Sequence, residues 1–142
     1  MKRHIALLIL VILIISIVAL PVLADNISPR LNNTVNASTN FVISTSGKAT
    51  ISAAYNGHRS VFTDAKITSY IEKRTLGLFW SKVDIGETNN EWVDTSTNYS
   101  DAFVHEFYLE NTGTYRATVV YEISGTGGAT DVIEYEQERT YS

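Results

Sequence analysis

Residues 109–123 open on a polar turn and then alternate: Tyr115, Ala117, Val119, Tyr121 and Ile123 fall on one side, Arg116, Thr118, Val120 and Glu122 on the other. A period of two is that of a strand with one buried face. The same rhythm recurs in 65–74, where Ile67, Ser69 and Ile71 oppose Lys66, Thr68, Tyr70, Glu72 and Arg74. Gly77 interrupts it, and Phe79, Val83 and Ile85 then oppose Trp80, Lys82 and Asp84. These two runs predict a hairpin with Phe79 and Val83 inward. Upstream, Phe41 and Ile43, then Ala49, Ile51, Ala53 and Tyr55 after Gly47, form either a hairpin or one strand bulged at Gly47. Asn56-Gly57 predicts a turn, because both residues accept positive φ at low cost. Trp92 and Val93 suggest a short strand, and Phe103, Phe107 and Leu109 mark the inner side of another. A glycine-rich turn at 124–129 precedes a closing strand over 131–141, with Ile133 and Tyr135 opposed to Val132, Glu134, Glu136 and Glu138. Seven to nine short strands without helical periodicity beyond the first 24 residues predict an all-β antiparallel sandwich, with a barrel as the alternative.

The first 24 residues differ from the rest. Lys2 and Arg3 precede an apolar run over 5–15, followed by Pro21 and a small residue at Ala24. A charged start, a short apolar middle and a small closing residue predict a secretory signal helix cleaved before Asp25. An uncleaved membrane anchor is the alternative, since 5–20 approaches the ~20 apolar residues of a spanning helix. Residues 25–40 read as a polar arm with an edge strand near 30–35, and 41–142 as the sandwich domain. Asn26, Asn32, Asn36 and Asn98 each begin an Asn-x-Ser/Thr triplet and read as ordinary loop residues.

Composition narrows the partners. Without the signal segment, 118 of the 142 residues remain, enough for one core that needs no covalent staples. There is no cysteine, which fits Gram-positive export and excludes a lipid-modified cysteine. Release to the extracellular space is the expectation. Leaving out Lys2 and Arg3, 9 basic residues stand against 15 acidic ones, a net charge of −6. Nucleic acid is disfavoured, because its binding rests on clustered Lys and Arg. Anionic lipid is disfavoured by the same sign, leaving membrane contact only through an uncleaved signal segment.

Candidate chemistry is sparse. Asp94-x-Ser96-x-Asn98 has the oxygen spacing of a calcium loop, but Tyr99 and His105 stand where its turn glycine and bidentate glutamate belong. His58 and His105 sit in no metal-ligand spacing, and no Gly-x-Ser-x-Gly elbow is present, so neither a cofactor nor a metal nor catalysis is expected. Glu134, Glu136 and Glu138 share one strand side and read as a solvated edge. The most informative set is aromatic: with Ile67 and Ile71 inward, Tyr70 faces out, and Trp80 opposes Phe79 and Val83. One outer face is thus expected to carry Tyr70, Trp80, Lys82, Arg116, Glu134 and Glu136 as a binding surface for an extracellular protein or glycan. The competing reading makes Trp80 or Trp92 a core tryptophan.

Gly113-x-Tyr115 entering a strand resembles the tyrosine corner of immunoglobulin-like sandwiches, with Ala117 in the place of the usual cysteine. The runs Ser46-Gly-Lys-Ala-Thr-Ile51, Phe79-Trp-Ser-Lys-Val-Asp-Ile-Gly86 and Gly113-Thr-Tyr-Arg-Ala117, behind a signal segment, resemble small secreted Gram-positive proteins of unknown function. That resemblance implies the compartment and assigns no site residues. The resulting expectation is a secreted, non-enzymatic binding module. The alternatives are a hydrolase of cell-wall or glycan material and a structural, self-associating protein.

Overall fold

The computed structural model describes residues 31–142. The expected signal helix, its expected cleavage position and the start of the expected polar arm lie outside the described residues. Eight strands follow in order: β1 (Thr34–Ile43), β2 (Lys48–Gly57), β3 (Phe62–Thr75), β4 (Phe79–Lys82), β5 (Trp92–Ser96), β6 (Ser100–Tyr108), β7 (Gly113–Gly125) and β8 (Asp131–Tyr141). They form two antiparallel sheets, β1-β2-β6 and β4-β3-β7-β8, and β5 pairs with the start of β3 on the edge whose far end takes β4. The all-β architecture therefore holds, and Leu31–Ser142 is one compact unit.

Alternation builds the core. β2 turns Ala49, Ile51, Ala53 and Tyr55 inward, β3 Ala65, Ile67 and Ile71, and β7 Tyr115, Ala117, Val119, Tyr121 and Ile123, and all are buried. Both sheets contribute to this single apolar cluster, which Phe41 and Leu109 complete. Removing such side chains from water is the main favourable term, roughly 1.5–3 kcal/mol for each large one. Phenols tie the layers: Tyr121 Oη of β7 donates to Ser38 O of β1 at 2.7 Å, and Tyr55 Oη donates to Asn98 O at 2.7 Å. Burial raises the pKa of both phenols, although hydrogen bonds with Ser96 at Tyr55, and with Thr39 and the Ala54 backbone at Tyr121, pull the other way.

The flank of β1 is sealed by side chains. Gln137 of β8 accepts from Phe41 N at 2.9 Å and donates to Thr39 O at 2.8 Å, replacing the ladder partners that β1 lacks there. The strand begins at Thr34, so 34–40 of the expected arm belongs to the sheet. Its start is clasped: Asp131 accepts from Asn33 N, Thr34 N and Thr34 Oγ1, each at 2.8 Å, and from Asn32 N at 2.9 Å. Burial alone would push the Asp131 carboxyl up, but these hydrogen bonds together hold it below the usual carboxylate range. The glycine-rich segment 124–130 folds over the same place, with Gly127 N donating to Asn33 Oδ1 at 3.1 Å. A Cβ on Gly125 would lie 2.4 Å from Val61 O, so that glycine serves close approach rather than flexibility.

Two local readings are corrected. Asn56-Gly57 is no turn: β2 runs through Gly57, and the chain reverses over 58–62, where Val61 N and Phe62 N both donate to His58 O. Gly57 is there because the Phe62 ring would crowd a Cβ at 2.4 Å. Phe79, expected inward, is exposed, because it pairs with Thr75 where the β3–β4 hairpin projects past Ile71, the last core residue of β3. Gly47, by contrast, sits at φ +79 in a true β1–β2 hairpin turn.

Candidate functional site

Cross-strand partners in an antiparallel sheet lie on the same face. Across β4, β3 and β7 the pairs Arg74↔Trp80, Glu72↔Lys82, Glu72↔Arg116 and Tyr70↔Thr118 define the outer face of the larger sheet. Thr118↔Glu136 and Val120↔Glu134 carry it onto β8. Tyr70, Trp80, Lys82, Arg116, Glu134 and Glu136 thus occupy one outer face. Trp92 is the tryptophan that packs against the core.

Most of these groups touch. Arg116 donates from Nε and Nη2 to Glu72 Oε2 at 2.9 and 2.6 Å, and its Nη1 lies 3.1 Å from Glu136 Oε1. Its guanidinium also covers the Trp80 ring at 4.6 Å, with Arg74 at 5.7 Å. Lys82 Nζ stands 4.3 Å from the Tyr70 centroid and pairs with Glu91. Partial burial would lower the Arg116 pKa, but Glu72 and Glu136 raise it, so the charge is fixed. Glu134 shares the face without joining an ion pair among the described residues. Glu72 and Arg74 were not among the expected site residues. Their place opposite Arg116 and Trp80 is marked only by the strand register. Thr118, in the middle of the face, is fully buried, and its hydroxyl makes no hydrogen bond among the described residues.

The rest of the molecule offers less chemistry. His105 Nε2 meets Asp94 Oδ2 at 2.7 Å and stacks on Trp92 at 5.0 Å, bridging β6 of one sheet to β5 of the other. Among the described residues no hydroxyl bonds this histidine. The Asp94-x-Ser96-x-Asn98 side chains have other partners: Asp94 meets His105, and Ser96 Oγ and Asn98 Nδ2 donate to Asp101 Oδ2, which helps to lower the Asp101 pKa. No group of three His, Cys, Asp or Glu side chains is placed to hold a metal among the described residues. His58 is exposed on the 58–62 turn, and Glu134, Glu136 and Glu138 form an exposed row on β8. A half-open cleft of about 460 Å³ lies between the β3–β4 hairpin and the β6–β7 turn, lined by Lys73, Val83, Asp84, Phe107, Glu110 and Tyr115 among others.

At the head of β7, Tyr115 Oη donates to Asn111 O at 2.5 Å, locking the turn that precedes the strand. Compared with known proteins, the chain matches no family model, no curated protein and no solved structure.

Proposed function

We propose that the protein is a secreted, non-enzymatic binding module of immunoglobulin-like design that engages an extracellular partner through the outer face of its larger sheet. Two features support the design: the strand orders β1-β2-β6 and β4-β3-β7-β8, and a tyrosine at the head of β7 bonded four residues back. The observation that carries the binding reading is the ordered network joining Tyr70, Trp80, Lys82, Arg116 and Glu136 on one solvent-facing surface. Trp, Tyr and Arg held rigidly provide contact area at small entropic cost and are the residue types that anchor interfaces. Of the two partner classes, a protein fits better than a glycan. Sugars stack on bare ring faces, and here Lys82 and Arg116 already cover one face of each ring. Alternating cations and carboxylates suit a partner with charges of its own.

The test uses fluorescent residues 31–142 on a glycan array and on cells before and after protease treatment of their surface. Binding to cells that protease abolishes is expected. The variant Tyr70→Ser/Trp80→Ser should lose at least about tenfold in affinity, the scale of a hot spot. Its unfolding free energy should stay within about 1–2 kcal/mol of the parent, the scale of exposed cation–π contacts. Array binding that survives in the variant, or a destabilisation of core-truncation size, refutes the proposal.

A further inference from the structure

The tip of the β3–β4 hairpin breaks two rules at one place. Thr75 O accepts from Leu78 N at 3.1 Å, and the two residues between them have positive φ, Leu76 at +52 and Gly77 at +70. This is the turn in which Asn-Gly is preferred, because a side chain at the first position meets left-handed backbone sterics. Leucine is poorly suited to it, and here no burial compensates: Leu76 is 85% exposed, Leu78 75% and Phe79 63%. A strained residue holding an apolar side chain in water does nothing for the fold, which points to use outside it.

The surroundings indicate what that use is. From Lys73 to Val83 the hairpin holds three basic residues and no acidic one; Lys82 is paired with Glu91, while Lys73 and Arg74 join no ion pair among the described residues. Trp80 stands one residue behind Phe79. The acidic row Glu134, Glu136 and Glu138 lies on β8, at the opposite edge of the sheet from β4. Residues 31–142 carry a net charge of −6, yet Lys73 and Arg74 stand unpaired at this hairpin. An apolar point, a tryptophan just behind it and the two long cationic side chains of Lys73 and Arg74 form the sequence of layers met on entering an anionic bilayer. The depth agrees: from the Arg74–Trp80 pair to the turn is about two residues, or roughly 7 Å of strand, within the ~5–10 Å that interfacial segments sink. A convex two-residue turn suits insertion better than docking on a flat protein surface.

We propose that this hairpin is a membrane-inserting tip for bilayers rich in anionic lipid. The inference shares Trp80 with the outer-face reading but turns on Leu76, Leu78 and Phe79, which that reading does not need. Residues 31–142, which contain both sheets and the described core, are sedimented with phosphatidylcholine vesicles with and without phosphatidylglycerol. Using this segment leaves out the apolar run 5–15, which would partition by itself. Binding is expected only where phosphatidylglycerol is present, and should weaken as salt is raised. The variant Leu76→Ser/Leu78→Ser/Phe79→Ser should lose at least about tenfold in partition, in line with three deleted apolar side chains. Leu76→Asn is the control for folding: it relieves the turn, so its melting temperature should be unchanged or higher while binding falls severalfold. Equal binding by the triple variant overturns the proposal, as does a parent that ignores phosphatidylglycerol vesicles. So does a parent that forms dimers by gel filtration which the triple variant abolishes, because the tip would then be covered by a second copy.

Discussion

Replacing Asp131 tests whether the end of the sandwich depends on one carboxylate. Its Oδ2 accepts three hydrogen bonds, from Asn33 N, Thr34 N and Thr34 Oγ1, and Oδ1 accepts one from Asn32 N. In Asp131→Ala the donors of Asn33 and Thr34, both buried residues, lose their acceptor, whereas the part-buried Asn32 amide is free to find water. At about 1–3 kcal/mol for each group left unsatisfied, with less than full additivity because they shared one acceptor, the loss is about 3–5 kcal/mol. Asp131→Asn keeps a neutral oxygen for the three strong bonds but turns an amide toward Asn32 N–H, and should cost about 1.5–2.5 kcal/mol. Urea unfolding of residues 31–142 measures both, and the alanine variant should melt roughly 12–20 °C lower. The pH dependence has a definite sign. The folded-state pKa of Asp131 is depressed, so its contribution is complete above the unfolded value of about 3.9 and disappears as pH falls through the folded one. The gap between parent and Asp131→Asn should therefore be constant near neutrality and close below about pH 4. A loss under about 1 kcal/mol in Asp131→Ala, or a gap indifferent to acid, would show that the clasp does not hold the strand.

Two smaller substitutions probe single groups. Tyr115→Phe removes only the bond to Asn111 O and should cost about 1 kcal/mol in urea unfolding; no change would mean that the turn closes without it. Thr118→Val replaces a fully buried hydroxyl that has no partner with a methyl of the same shape, and should stabilise by about 1 kcal/mol, read as a higher urea midpoint at unchanged m.

What could be read beforehand follows from how each feature is encoded. β3 and β7 are legible because one side is buried and the other is not, so the two-residue period survives in the residue types. The same parity brings Tyr70, Trp80 and Arg116 onto one face, since a strand cannot move a side chain to its other face without slipping register. The Asp131 clasp was not legible, because three of its four donors are two backbone amides of Asn33 and Thr34 and one of Asn32, nearly a hundred residues away, and amides carry no sequence signal. Gly57 misled in a related way, while the glycine-rich turn near Gly125 was legible. It is Gly57 that is small so that Phe62 can come near, and in the sequence such a glycine looks the same as one that turns the chain. Phe79 departed from the alternation because the hairpin outruns the opposite sheet, and periodicity says nothing about where a core ends.

The Gln137 amide reaching over β1 has a consequence for assembly. A foreign strand approaching that flank would find the amide hydrogen of Phe41 and the carbonyl of Thr39 already engaged, and would have to evict a tethered competitor to zip on. Ribbon growth is discouraged there by one side chain acting as a stand-in neighbour. Truncating it would turn a closed margin into an adhesive one.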